Sequence, residues 1–424
     1  MTTSRLYKKT LLAVAVSSLT LASHQVAAAG FQLNAQSATG LGRAFAGDAV
    51  IADNASVMAR NSAAMALFDS HQFSGGVNYI KTSIDIKDIS YEPTGGALPP
   101  TAVANANNSS GTPVPNIYYI HRLNEQWALG AGIYSNFGTN NNFDDSFGAG
   151  SSPIPGTAPD ATVFGGTTEI ASINYAISAS YRVNDQWSVG GGIDIIQGSG
   201  KLIRKTGLSA PADTALDIDA SGVGVGFNLG TVYELNENNR FGFSYHYSPE
   251  IEAKGDVFYA KDLTADSIKL PLPSMAEFSG YHRIQDTKFA VHYSLQWIGW
   301  SAFDKIVTNN NVTVKDYEWK DGYHAALGGT YYLNDAWTLR AGYMYDTAAQ
   351  DKLTSISVPD SDRQWLSAGF GYHFKKHHVV DFGITYLMGK DVSVEETLVE
   401  GTTQLTATTQ ANAILAGIQY SYSF

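Results

Sequence analysis

The chain has 424 residues, a formal net charge of −12 and no cysteine. The acidic balance argues against nucleic acid as a partner, and the lack of cysteine fits a chain that crosses an oxidising compartment unfolded. A mean hydropathy of −0.13, with no run after residue 30 near the ~20 consecutive apolar residues that a membrane helix requires, excludes helical spans.

At the N-terminus, Arg5, Lys8 and Lys9 precede the apolar run Leu11 to Ala22, and Val26-Ala27-Ala28-Ala29 offers small side chains for cleavage. This is the pattern of a secretory signal peptide over residues 1–29, cut before Ala29 or Gly30. Residues 30–71 then run rich in Ala, Gly and Ser, with a turn-like Gly40-Leu41-Gly42-Arg43 and a short helix expected around Ala55 to Ala66. They hold too few bulky side chains to fold alone. A segment of ~40 residues is about what fills the lumen of a large barrel; a disordered periplasmic extension is the alternative on composition.

From residue 72 onward the chain alternates apolar with small or polar residues, interrupted by short knots. Leu123-Asn124-Glu125-Gln126-Trp127, Val183-Asn184-Asp185-Gln186-Trp187 and Leu333-Asn334-Asp335-Ala336-Trp337 are near copies, and residues 235–239, 283–286 and 374–378 hold equivalent places. Tight turns between long period-two strands predict an all-β antiparallel meander, which must close or leave a reactive edge. In the last strand Ile414, Ala416, Ile418, Tyr420, Tyr422 and Phe424 form one face, with Gln419, Ser421 and Ser423 on the other. An apolar outside, a small or polar inside and aromatic strand ends describe a transmembrane β-barrel. Strands are expected at 72–86, 113–122, 127–137, 167–182, 187–202, 217–234, 240–256, 274–283, 287–304, 315–333, 336–347, 363–374, 378–391 and 410–424, fourteen in all. The longer connections, such as Pro93 to Pro115 and Asn140 to Pro159, are expected outside the cell, and the short knots in the periplasm. The barrel, residues 72–424, thus belongs in a Gram-negative outer membrane.

Chemistry has no foothold in the sequence. There is no nucleophile elbow, Gly222-Val223-Gly224-Val225-Gly226 lacks the helix that a phosphate-binding loop opens, and His377-His378 sits in a turn. No enzyme activity and no cofactor or metal are expected. By parity within their strands, Arg204, Lys320, Arg340 and Asp346 face the lumen.

Several blocks resemble the outer-membrane long-chain fatty-acid transporters, the FadL family: Gly30-Phe31-Gln32-Leu33-Asn34, residues 40–47, Ile51-Ala52-Asp53-Asn54-Ala55, residues 272–281, Ala290 to Leu295 and Ile356 to Gly369. The resemblance spans the mature chain and implies a fourteen-stranded barrel closed by an N-terminal hatch, residues 30–71. It also implies capture of an amphipathic ligand by outer loops, passage to a lumenal site, and sideways release through a wall gap made by a kink in the third strand. Gly130 and Gly132 are the expected sites of that kink. Arg204 and Lys320 match positions that the family uses near the ligand's head group, where an ionised carboxylate needs cations. Arg340 and Asp346 are expected to tie the hatch to the wall or to belong to an ordinary lumen charge ladder. Where the family commonly has Asn-Pro-Ala in the hatch, this chain has Asn61-Ser62-Ala63. Lys201 to Leu216 and Glu250 to Leu272 look like shortened outer loops. The implied function is uptake of long-chain fatty acids by a monomer in contact with outer-membrane lipid and lipopolysaccharide. The alternatives are uptake of aromatic or other hydrocarbons, which needs no cation, and a surface porin, adhesin or phage receptor.

Overall fold

The computed structural model describes residues 30–209, 212–259, 263–399 and 403–424; the expected signal peptide lies outside the described residues. The repeated knots explain themselves at atomic level. Asn124 Oδ1 accepts from the backbone N–H groups of Gln126 (2.9 Å) and Trp127 (2.8 Å), while Leu123 N–H donates to Trp127 O at 2.9 Å. Asn184 and Asn334 repeat this double acceptance with Gln186 and Trp187, and with Ala336 and Trp337. A side chain that accepts from the backbone two and three residues on mimics a peptide carbonyl and fixes the reversal.

Between the turns run β1 Gln72–Glu92, β2 Gly111–Arg122, and β3 Trp127–Tyr134, which resumes as Gly138–Asn142. Then come β4 Thr167–Arg182, β5 Trp187–Lys205, β6 Thr214–Asn236, β7 Asn239–Tyr247 with Glu250–Tyr259, and β8 Leu263–Pro271 with Met275–Arg283. The remainder are β9 Phe289–Ile298 with Lys305–Thr308, β10 Thr313–Asp316 with Gly322–Asn334, and β11 Trp337–Asp346. β12 Arg363–Phe374, β13 His378–Gly389 with Val392–Val399, and β14 Thr403–Ser423 complete the set. Each strand pairs antiparallel with the next, and β14 returns to β1 from Ser423↔Gln72 to Gln404↔Glu92, so the fourteen-stranded sheet closes. Closure removes the free edge that a meander of this length would otherwise expose.

The alternation sorts as its chemistry requires. Along β6, Val223, Val225, Phe227 and Leu229 are exposed on the outer wall, while Asn228 and Val232 are buried toward the lumen. The strands run farther outward than the expected bounds. Half of 201–216 and most of 250–272 is paired strand, because Leu202, Ile218, Ile251, Ala253, Ile268 and Leu270 bury their side chains inward only if the ladder continues.

Candidate functional site

Residues 30–68 are almost wholly buried and bond to strands all round the barrel wall, the arrangement expected of a plug. Asn78 of β1 donates to Ala35 O at 2.6 Å, Tyr118 of β2 to Gln36 O at 2.9 Å, and Thr385 of β13 to Leu41 O at 3.1 Å. Ser279 of β8 and Ser294 of β9 accept from the N–H groups of Ala49 and Gly47, and Gln419 of β14 from that of Ala38. The segment is built from three short helical turns, Ala38–Leu41, Ala55–Ala59 and Ser62–Leu67, capped by Ser37, Asn54 and Asn61. Such short turns are marginal alone, so wall contacts hold them. Small lumen residues let the backbones meet: a Cβ at Gly230 would collide with Asn61, and one at Gly342 with the carbonyl of Arg43.

Charge fastens this plug. Arg43 pairs with Asp48 at 2.7 Å and with Asp53, and Arg60 reaches Glu277 of β8 at 3.3 Å. Arg340 of β11 stands 3.6 Å from Asp53 and 2.8 Å from Asp381 of β13. Burial alone would raise the Asp53 carboxyl, but Arg43 and Arg340 hold it below the usual carboxylate range. Asp346 reaches the plug indirectly. Asn34 Nδ2 lies 3.3 Å from His324 Nδ1, and His324 Nε2 lies 3.0 Å from Asp346 Oδ1.

Of the expected plug residues, Asn61 caps the last turn: its Oδ1 accepts from Ala63 N–H at 3.0 Å, and its Nδ2 donates to Ala49 O at 2.8 Å and Thr231 O at 3.1 Å. Ser62 holds the first helical position, where Pro is well tolerated. The cap therefore supplies the geometry without the family's Pro. Phe31 is fully buried in an aromatic cluster, its ring centroid 4.7 Å from Trp300, 5.0 Å from Phe303, 5.7 Å from Trp319 and 6.2 Å from Phe137.

The third strand is broken, and the ladder between β2 and β3 lapses there, leaving a window in the wall's backbone pairing. β2 and β3 pair from Arg122↔Ala128 to Ile117↔Ile133, after which β3 leaves the ladder at Ser135–Phe137 and resumes against β4 alone. The break thus comes after Gly130 and Gly132, which stand in the regularly paired stretch. Their missing side chains serve the plug and the wall, since a Cβ at Gly130 would collide with Met65 and one at Gly132 would press within 2.8 Å of Tyr118. Across the gap, β2 keeps its ladder to β1 as far as Gly111↔Lys81. The window closes on the outer side where Asn108 Nδ2 donates to Asn141 Oδ1 at 2.7 Å.

Two prolines explain why this seam stays unzipped. Leu123 N–H points at β3, to Trp127 O, whereas Arg122 N–H points the other way, to His71 Nδ1 at the start of β1. The register is continuous, so odd-numbered residues of β2 direct their N–H groups at β3. At the window those residues are Pro113 and Pro115, which have no N–H. The plug takes the bonds instead: Leu33 N–H donates to Asn136 O and Gly138 N–H to Phe31 O, both at 2.7 Å, making an isolated bridge between Gln32 and Phe137.

Outward of Phe31 opens a cavity of about 420 Å³, lined by Phe164, Leu202, Leu216, Val314, Tyr317 and Leu353 on its apolar side. Leu202, Leu216, Val314 and Tyr317 belong to the same contiguous apolar cluster as Phe31, Phe137 and Trp300, so continuous apolar packing joins the cavity wall to the broken strand. Arg204 lines the cavity and is buried. Its guanidinium donates to Thr167 O (2.6 Å), Ile203 O (2.9 Å) and Thr168 Oγ1 (2.6 Å). Lys320 is exposed, outside that lining, and pairs with Asp351 at 3.2 Å. The strand lapses between Asp316 and Gly322, so parity does not carry back from β10 to this residue. The cavity's second cation is Lys315, paired with Glu396 at 2.5 Å. Sequence reasoning missed both residues, and it missed the two prolines although Pro113 and Pro115 stand at period two.

Comparison with known proteins fits this geometry. The family described as outer membrane protein transport protein (OMPP1/FadL/TodX) matches residues 19–424. The sequence is 35% identical to the long-chain fatty acid transport protein of Escherichia coli (strain K12), covering 100% of both chains. It is also 35% identical to outer membrane protein P1 of Haemophilus influenzae, covering 99% of each. Among solved structures, a Pseudomonas aeruginosa FadL homologue matches with a TM-score of 0.81 at 23% identity, covering 93% of this chain and 100% of that one. The Pseudomonas putida toluene transporter TodX matches with a TM-score of 0.67 at 18% identity, covering 94% and 100%. At those identities the structures establish a shared fold.

Proposed function

This chain belongs to the OMPP1/FadL/TodX family of outer-membrane transport proteins, and from that premise we propose that it takes up long-chain fatty acids, releasing them sideways into the bilayer. The supporting observation is the continuous apolar packing that joins the outer cavity, with Arg204 on its wall, to Phe31 and the unzipped seam of β3. A long acyl chain gains ~0.8 kcal/mol per buried methylene, so it favours lipid over periplasmic water as its exit. The carboxylate is met at Arg204, whose present partners are neutral oxygens that a ligand's anion outcompetes. The plug, residues 30–71, blocks the direct aqueous route and must shift its first residues for the window to open.

Labelled oleate uptake into cells with and without the gene tests this directly. Gene-dependent uptake is expected, and Arg204→Ala should weaken oleate binding ~10-fold or more, as loss of a charged hydrogen bond costs ~1.5–3 kcal/mol. Lys320→Ala should change little. Equal uptake with and without the gene rejects the reading. One observation favours a second reading, uptake of uncharged aromatic hydrocarbons: Lys315 already has a carboxylate partner in Glu396. Gene-dependent toluene uptake with no oleate uptake would support it.

A further inference from the structure

Glu396 sits on the second segment of β13, Val392–Val399, is 9% exposed, and lines the outer cavity with Lys315 and Arg204. Its Oε1 accepts from Lys315 Nζ at 2.5 Å and from Ser355 Oγ at 2.9 Å, and its Oε2 accepts from Ile356 N–H at 3.1 Å. A carboxylate on the wall of a partly apolar cavity, bound by an ammonium and two neutral donors, is the chemical likeness of a fatty acid's head group. We propose that Glu396 is a resident competitor for the ligand's carboxylate, displaced from Lys315 by an anionic ligand and left in place by an uncharged one. This inference rests on the fatty-acid reading.

The physical argument is one of exchange. A buried ion pair loses heavily when one partner is removed and nothing replaces it. An uncharged ligand therefore leaves the Lys315–Glu396 pair in place. A ligand that brings its own carboxylate substitutes one anion for another on Lys315, and Glu396 turns toward water in the cavity. That exchange also reaches the window. Ile356 O and Ser357 O accept from Asn141 Nδ2, both at 3.1 Å, and Asn141 Oδ1 accepts from Asn108 Nδ2 across the outer frame of the window. Glu396 anchors the 355–356 end of that chain, so its displacement loosens the outer segment of β3 when an anionic head group arrives.

Two measurements on the purified full-length protein in detergent test this. In Glu396→Gln, oleate should bind ~5–10-fold more tightly, in line with removing one close like-charge competitor at a partly solvated site, while oleyl alcohol binds as before. In a Lys315→Gln background the same change should leave oleate affinity where it was. In the unaltered protein, oleate should speed hydrogen exchange at the Ile356 amide, which loses its acceptor, and oleyl alcohol should not. Unchanged or weaker oleate binding in Glu396→Gln, equal tightening for both ligands, or an Ile356 amide indifferent to oleate would each overturn the proposal. If the unaltered protein binds no oleate at all, the fatty-acid reading falls first and this inference with it.

Discussion

The inner and outer halves of the lumen are filled by opposite means. In the inner half, plug and wall meet through paired charges, capped turns and backbones brought close by glycine, and the small spaces between Arg60, Glu277 and Gln36 hold only about 10 Å³. In the outer half the strand extensions turn Leu202, Leu216 and Val314 inward and leave a cavity of about 420 Å³. One half is densely filled and joined by polar contacts, the other holds an open space whose wall mixes apolar with charged side chains. Motion therefore belongs at the leading end of the inner half: Phe31 packs in the cavity's apolar cluster, and Phe31 and Leu33 bond the broken strand.

The strongest way to break that contrast is to unfasten the inner half. Arg340→Ala leaves Asp381 without its cation and Asp53 with Arg43 alone, and should cost ~3–5 kcal/mol, the usual effect of stripping one partner from a buried pair. Faster trimming of residues 30–71 by protease added to the periplasmic face, with the barrel intact, is the expected outcome. Acid should act in the same direction. Because the Asp53 carboxyl is held below its ordinary value, its contribution is present above that value and is lost as pH falls through the lower one.

A smaller effect should come from the window. Changing Pro113 and Pro115 together to Thr restores two backbone donors facing β3, each worth ~0.5–1.5 kcal/mol if the seam zips. Oleate binding should persist while uptake falls, and hydrogen exchange along 111–116 should slow. Unchanged uptake with slowed exchange would show that ligands leave by another route. The smallest effect is expected at Ser62→Pro, where the first helical position accepts Pro and the unfolded chain loses freedom: a gain of ~0.4–1 kcal/mol in thermal or denaturant unfolding. A loss would mean that Asn61's cap depends on the Ser62 backbone.

Legibility in the sequence followed the range of the contacts. The turns were readable because Asn124, Asn184 and Asn334 act on neighbours two and three residues away, and the closed barrel followed from their spacing. Parity located the Arg204 side chain because β5 runs unbroken from Trp187 to Lys205. It failed to carry to Lys320 because residues 317–321 leave the strand. Glycine was a poor guide to the kink, since lumen glycines answer to the plug: Gly130 makes room for Met65, whereas the break at Ser135–Phe137 is bonded by Phe31 and Leu33. The pairing of Lys315 with Glu396, 81 residues apart, joins two outer strand extensions whose length the alternation alone did not reveal.

The central claim is that the leading residues of the plug must part from the third strand for ligand to pass. Gln32 and Phe137 face each other across a bridge flanked by hydrogen bonds on both sides, the close pairing in which cross-strand Cα atoms lie ~4.5 Å apart and a disulfide is accessible. The chain has no other cysteine, so Gln32→Cys with Phe137→Cys gives one defined clamp. Oxidised, the double variant should bind oleate but not deliver it, and reductant should restore uptake to the level of the same variant kept reduced. Uptake that is equal in the oxidised and reduced forms would contradict the account.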